Sequence, residues 1–78
     1  MNEHILFVID HLANTGKYTQ EELEANEESA YSANDWAAWA SAYAAALDAS
    51  ETTYWVDKYF KITGEDKKTY IDKLKGES

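Results

Sequence analysis

The chain contains no cysteine, no proline and no arginine, and only three glycines among its 78 residues. Without cysteine, neither a disulfide nor a thiolate metal site can staple the fold. Without proline, and with the glycines placed where helices are expected to stop, the class that remains is all-α. Seven lysines against fifteen acids leave a net charge of −8, so no direct nucleic-acid contact is expected. No run approaches the roughly 18 apolar residues of a membrane span, and no basic segment precedes a short apolar stretch. Neither a membrane nor secretion is therefore expected, and the expected location is the cytoplasm.

Motifs that carry chemistry are missing too. There is no Gly-x-Ser-x-Gly elbow, Walker loop, dinucleotide fingerprint, His-Glu-x-x-His pair or EF-hand loop. His4 and His11 stand two helical turns apart, about 10.5 Å, too far to share a metal whose bonds to nitrogen are about 2.0 to 2.1 Å. Adjacent acids such as Glu27 and Glu28 are expected to be solvated, unlike the split, buried carboxylates of acid–base catalysis. No enzyme activity, metal or cofactor is expected.

What is present is aromatic and alanine-rich. Eleven Trp, Tyr and Phe side chains and twelve alanines stand beside only twelve Ile, Leu, Val and Met residues, so rings over alanine must build the core. A chain of this length buries only about 60 to 65% of its unfolded surface, which makes that core thin. The expected architecture is one domain, residues 1–78, holding a small bundle of four to five short helices.

The first helix is expected after an Asn2 cap, with Ile5, Leu6, Ile9, Leu12 and Ala13 inward and Gly16 as its stop. The run Ile5 to Ile9 alone is also compatible with a strand. Thr19-Gln20-Glu21-Glu22 is a capping box, with Tyr18 and Leu23 in staple positions, so a helix starts near Gln20. Leu23 and Ala30 point more than a quarter-turn away from Trp36, Ala40, Tyr43 and Leu47, and Ser32-Ala33-Asn34-Asp35 repeats the capping logic with Tyr31 and Trp36 in staple positions, which predicts a break near Ser32. The next helix, about Ala33 to Asp48, is expected to pack through Trp36, Ala40, Tyr43 and Leu47. After a Ser50 cap, Trp55, Val56, Tyr59, Phe60 and Ile62 share one side, opposite Asp57, Lys58 and Lys61. Thr63 to Asp66 read as stop and start, and the last helix offers Tyr70, Ile71 and Leu74 before Gly76.

Charge is uneven. The forty residues between Lys17 and Lys58 hold nine acids and no base, whereas the six lysines from Lys58 to Lys75 face only Glu65, Asp66 and Asp72. Glu21, Glu24 and Glu28 fall in one narrow helical arc, which Asp35 joins if the helix is continuous, and Glu27 lies beside it. Acids in a first turn favour the helix dipole, and an acidic face keeps an aromatic-rich protein soluble. The alternative reading is a carboxylate row that imitates phosphates and fills a basic groove. Trp36, Tyr43, Trp55, Tyr59 and Phe60 are expected in the core. Trp39 is expected to be partly exposed near the acids, and Phe7, opposite the first helix's stripe, is a second candidate contact.

The run Trp36-Ala37-Ala38-Trp39-Ala40-Ser41-Ala42-Tyr43-Ala44-Ala45-Ala46 resembles Ala/Trp/Ser segments of small bacteriophage-encoded proteins of unassigned function. Size, acidity and the lack of catalytic motifs are similar to phage proteins that disable host enzymes, among them anti-restriction and anti-CRISPR inhibitors, some of which mimic DNA. The resemblance implies a non-enzymatic inhibitor, in the bacterial cytoplasm, of a host nucleic-acid-handling or defence protein with a basic surface. The expected contact residues are Glu21, Glu24, Glu27, Glu28, Asp35, Trp39 and Phe7. The alternative is an assembly protein that pairs with itself, as a homodimer, through its Ala/aromatic helix.

Overall fold

Asn2 opens the first helix by accepting the backbone N–H groups of His4 and Ile5 on its Oδ1. The computed structural model describes residues 1–76: α1 (Glu3–Ala13), α2 (Gln20–Ser32), α3 (Trp36–Leu47), α4 (Thr52–Thr63) and α5 (Lys67–Gly76), with a 3₁₀ turn at Ala49–Glu51 before α4. The fold is an all-α bundle, and the strand-compatible run Ile5 to Ile9 lies inside α1. One core joins Ile5, Val8 and Ile9 to Leu23, the α3 alanines, Val56, Tyr59 and Tyr70. Val8 is fully buried, whereas Leu12 and Ala13, expected inward, are exposed. Leu12 shares the arc of Ile5 and Ile9 but sits in the last turn, where less of the bundle covers it.

Between α1 and α2 the chain is held by a buried carboxylate. Asp10 accepts from Asn14 Nδ2 at 2.7 Å, Lys17 Nζ at 2.6 Å and the Tyr18 hydroxyl at 2.5 Å. Burial alone would raise its pKa, but the donors from Lys17, Tyr18 and Asn14 outweigh burial and hold it below the ordinary carboxylate value. A depressed native pKa contributes stability above the unfolded value, and that contribution is lost as pH falls through the native one. Asp10→Ala is expected to cost about 1–3 kcal/mol at pH 7. In urea titrations the deficit should shrink below about pH 4, the unfolded carboxylate range; a constant deficit down to pH 2 would show that the charge is not what binds the loop.

The expected capping box closes in both directions at the start of α2. Glu22 N–H donates to Thr19 Oγ1 at 3.1 Å, and Thr19 N–H donates to Glu22 Oε1 at 2.9 Å. The break after Ser32 is real, but its cap is Asp35, not Ser32. Asn34 adopts a left-handed φ of 58°, Asn34 N–H donates to Tyr31 O and Asp35 N–H to Ala30 O. This is a Schellman stop with asparagine in the position that glycine usually takes. Asp35 then caps α3 through Ala38 N–H at 3.3 Å, so α3 begins at Trp36, later than the expected Ala33.

The largest departure from expectation is the orientation of α3. Its buried side is Ala38, Ser41, Ala42 and Ala45, while Trp36 is 52%, Tyr43 43% and Leu47 55% exposed. α3 packs against α1, α2 and α4 at once. Where three helices converge on one, only small side chains allow the backbones to approach, and rings are displaced outward. α4 follows expectation at Val56 and Tyr59, with Trp55 and Phe60 half-buried, but Ile62 is 63% exposed. Ser50 donates to Asp48 and caps nothing in α4. Gly64 ends α4 at φ +76°, and the Asp66 carboxylate receives Lys68 N–H at the start of α5. Tyr70 is buried as expected, whereas Ile71 is exposed.

Candidate functional site

The rings that α3 turns outward form a cluster with Tyr31 of α2. Tyr31 meets Trp36 edge-on with centroids 5.2 Å apart, Trp36 lies 6.1 Å from Trp39, and Trp39 lies 5.3 Å from Tyr43. Tyr31 is 55% exposed. The antiparallel pairing of α2 and α3 puts these rings together, and two polar bonds fix its register. Gln20 Nε2 donates to Ala46 O at one end, and Trp39 Nε1 donates to Glu27 Oε2 at 2.7 Å nearer the other. Trp39 is half-buried and its indole is held in place by a carboxylate.

Along the α2 side of the cluster runs a groove of about 420 Å³ lined by Glu27, Glu28, Tyr31, Ser32, Trp39 and Tyr43. Trp39 and Tyr43 also wall a second groove of about 270 Å³ that reaches Asp48, Glu51 and Trp55. Beyond it, Trp36, Ala40 and Trp55 floor a third that ends at Lys58 and Ile62. Lys58 Nζ stands 5.7 Å above the Tyr54 ring and 5.9 Å from that of Trp55. The result is a grooved aromatic face over α2, α3 and α4, with Glu27 and Glu28 along one margin and Lys58 at the other.

The sequence-predicted contacts divide. Glu27, Glu28 and Trp39 come together in the groove. Glu21, Glu24 and Glu28 share the outer arc of α2, away from Leu23 and Ala30, with Glu24 half-buried and 3.4 Å from Gln20 Nε2. Asp35 does not join them. The break turns it toward α1, where it accepts from Asn2 Nδ2 and lies 4.0 Å from His4 Nδ1. Its work is to cap α3 and fasten the start of α1. Phe7 is also removed from the site, because its ring stacks on Tyr18 at 4.1 Å and packs on the core. Trp36 and Tyr43, read as core, are exposed members of the cluster, and so is Tyr31, read only as a staple. One signal for them was legible: α3 carries no charge in twelve residues, so its apolar residues exceed what one buried face can hold.

Among the described residues no three His, Asp or Glu side chains converge as metal ligands. Two buried phenols outside this face, Tyr59 and Tyr70, have raised pKa values. Burial raises both, and the Glu65 carboxylate that each phenol donates to raises them further. Tyr70 also accepts Asn2 N–H, so this network joins the two ends of the chain. Comparison of the chain with protein-family models, with curated proteins and with solved structures finds no match.

Proposed function

We propose that the protein is a non-enzymatic protein-binding module that docks its acid-edged aromatic face on the basic surface of a partner, and that it acts there as an inhibitor of a nucleic-acid-handling or defence protein. One observation carries this reading: four contiguous rings, three of them about half exposed, adjoin a helix that holds five acids and no base. Contiguous exposed apolar surface with a polar margin marks interaction sites. Trp and Tyr supply most of the energy at such interfaces, while carboxylates at the margin accelerate encounter with a basic surface. Glu28 belongs to both the groove and the outer row with Glu21 and Glu24, so the row that would displace a nucleic acid is continuous with the rings that would hold the partner.

Self-association is less well supported than the sequence alone allows, because the alanine side of α3 is consumed inside the bundle. A photo-crosslinker placed at Tyr43, compared with one at Thr69 on α5, tests the docking face in a bacterial lysate. The expected result is a heterologous adduct from position 43 only, suppressed by Trp36→Ala and by added duplex DNA. Adducts at both positions, or only between copies of the chain, would overturn the proposal. With the captured partner purified, Glu21→Gln/Glu24→Gln/Glu28→Gln is expected to slow association about tenfold at low salt and flatten its salt dependence. Unchanged association kinetics would remove the acidic row from the mechanism.

A further inference from the structure

The groove between α2 and α3 has a more specific chemistry than a general acidic surface. Its walls are the Tyr31, Trp39 and Tyr43 rings, and its rim carries the Glu27 and Glu28 carboxylates. Ring faces carry negative electrostatic potential and attract cations. Glu27 is not a freely rotating side chain, since Trp39 Nε1–H holds its Oε2 at 2.7 Å. That single bond leaves Oε1 and further lone-pair capacity on the carboxylate directed by a fixed geometry. The lysines that the structure pairs are engaged elsewhere: Lys17 with Asp10, Lys67 with Asp57, and Lys58 over Tyr54 and Trp55.

We infer that this groove receives an arginine side chain from an extended segment of the protein partner, its guanidinium lying against the wall formed by the edge-on pair of Tyr31 and Trp39 rings, 6.0 Å apart, and donating to Glu27 and Glu28. The inference rests on the docking reading and names its recognition element. A groove of about 420 Å³ is ample for one side chain and its flanking backbone. Arginine fits better than lysine for two reasons. Its planar, weakly hydrated guanidinium lies flat on a ring at little desolvation cost. Its fork of donors reaches two acceptors at once, whereas an ammonium acts as a compact point charge. Arginine is also the residue this chain lacks, so none of its own side chains can compete for the groove in that way.

The probe is a capped Gly-Gly-Arg-Gly-Gly peptide titrated into the full chain, with its lysine and citrulline analogues alongside. The readout is the Trp39 indole N–H resonance, which reports directly on the bond to Glu27. The arginine peptide is expected to shift it saturably in the millimolar range, at least about tenfold more tightly than lysine, with no saturation by the uncharged citrulline peptide. Glu27→Gln and, independently, Glu28→Gln are each expected to weaken binding about tenfold. Glu28 is exposed on α2, so its variant remains informative if Glu27→Gln does not fold. Equal binding of arginine and citrulline peptides, or arginine binding unchanged in Glu28→Gln, would overturn the assignment. If the peptide fails while the Tyr43 crosslink to a partner persists, the arginine groove is wrong and the docking face stands. If the crosslink fails as well, both fall.

Discussion

Tyr70→Ala is expected to unfold most of the population under conditions in which Tyr70→Phe remains folded. Tyr70 is the largest of the fully buried side chains, and it is the one buried residue that α5 contributes to the core. Its ring meets Phe60 edge-on with centroids 5.2 Å apart. Truncating a buried aromatic to alanine costs about 3–5 kcal/mol, against a total stability of roughly 4–12 kcal/mol for a chain of this length. The phenylalanine variant keeps the ring and loses only the hydroxyl, which donates to Glu65 and accepts Asn2 N–H. That loss is worth about 1–2 kcal/mol. Urea unfolding followed by circular dichroism separates the two variants. A Tyr70→Ala protein within about 1 kcal/mol of the parent would mean that α5 is a loosely attached arm and that the tie between the chain ends is dispensable.

The second large effect concerns α3 and reverses the usual expectation about residue size. Ala42→Leu, which adds apolar surface, is expected to destabilise by about 1–3 kcal/mol or more, because Ala42 lies fully buried where α3 meets its neighbours and the added atoms have nowhere to go. Trp36→Ala, which deletes one of the two largest side chains on the helix, is expected to cost about 1 kcal/mol or less. Its indole is half-exposed and loses only the ring contacts to Tyr31 and Trp39. The same pair of variants separates fold from function, since Trp36→Ala should weaken partner capture while leaving the midpoint of unfolding nearly in place. If Trp36→Ala proved the more damaging, α3 would be rotated by half a turn and the exposed aromatic face would not exist.

Much of the helical framework was legible before any coordinates. Thr19 and Glu22 satisfy each other's backbone donors across three residues, an interaction that needs no tertiary partner. Asn2 and Gly64 act through local backbone geometry in the same way. The break after Ser32 followed from two apolar sets that could not face one neighbour, although the device that makes it, Asn34 in a left-handed conformation, carried no sequence signal as strong as a glycine. The acidic arc of α2 was legible because a charged face on a regular helix has a fixed angular position. Asp35 was misread for the complementary reason: it lies one residue beyond a stop, where a small change in chain direction decides which element a carboxylate faces.

Sequence alone determined that the chain is helical, where most helices begin and end, and that its acids concentrate on one segment, because caps, stops and helical spacing act within a few residues. Only the tertiary structure decided which side of α3 is inside. That helix is apolar on every face, so hydrophobicity gives no preference, and the choice falls to the close approach of α1, α2 and α4, which only alanine and serine permit. The exposed aromatic face is the consequence: the rings stand outside because the backbones inside are too close to admit them.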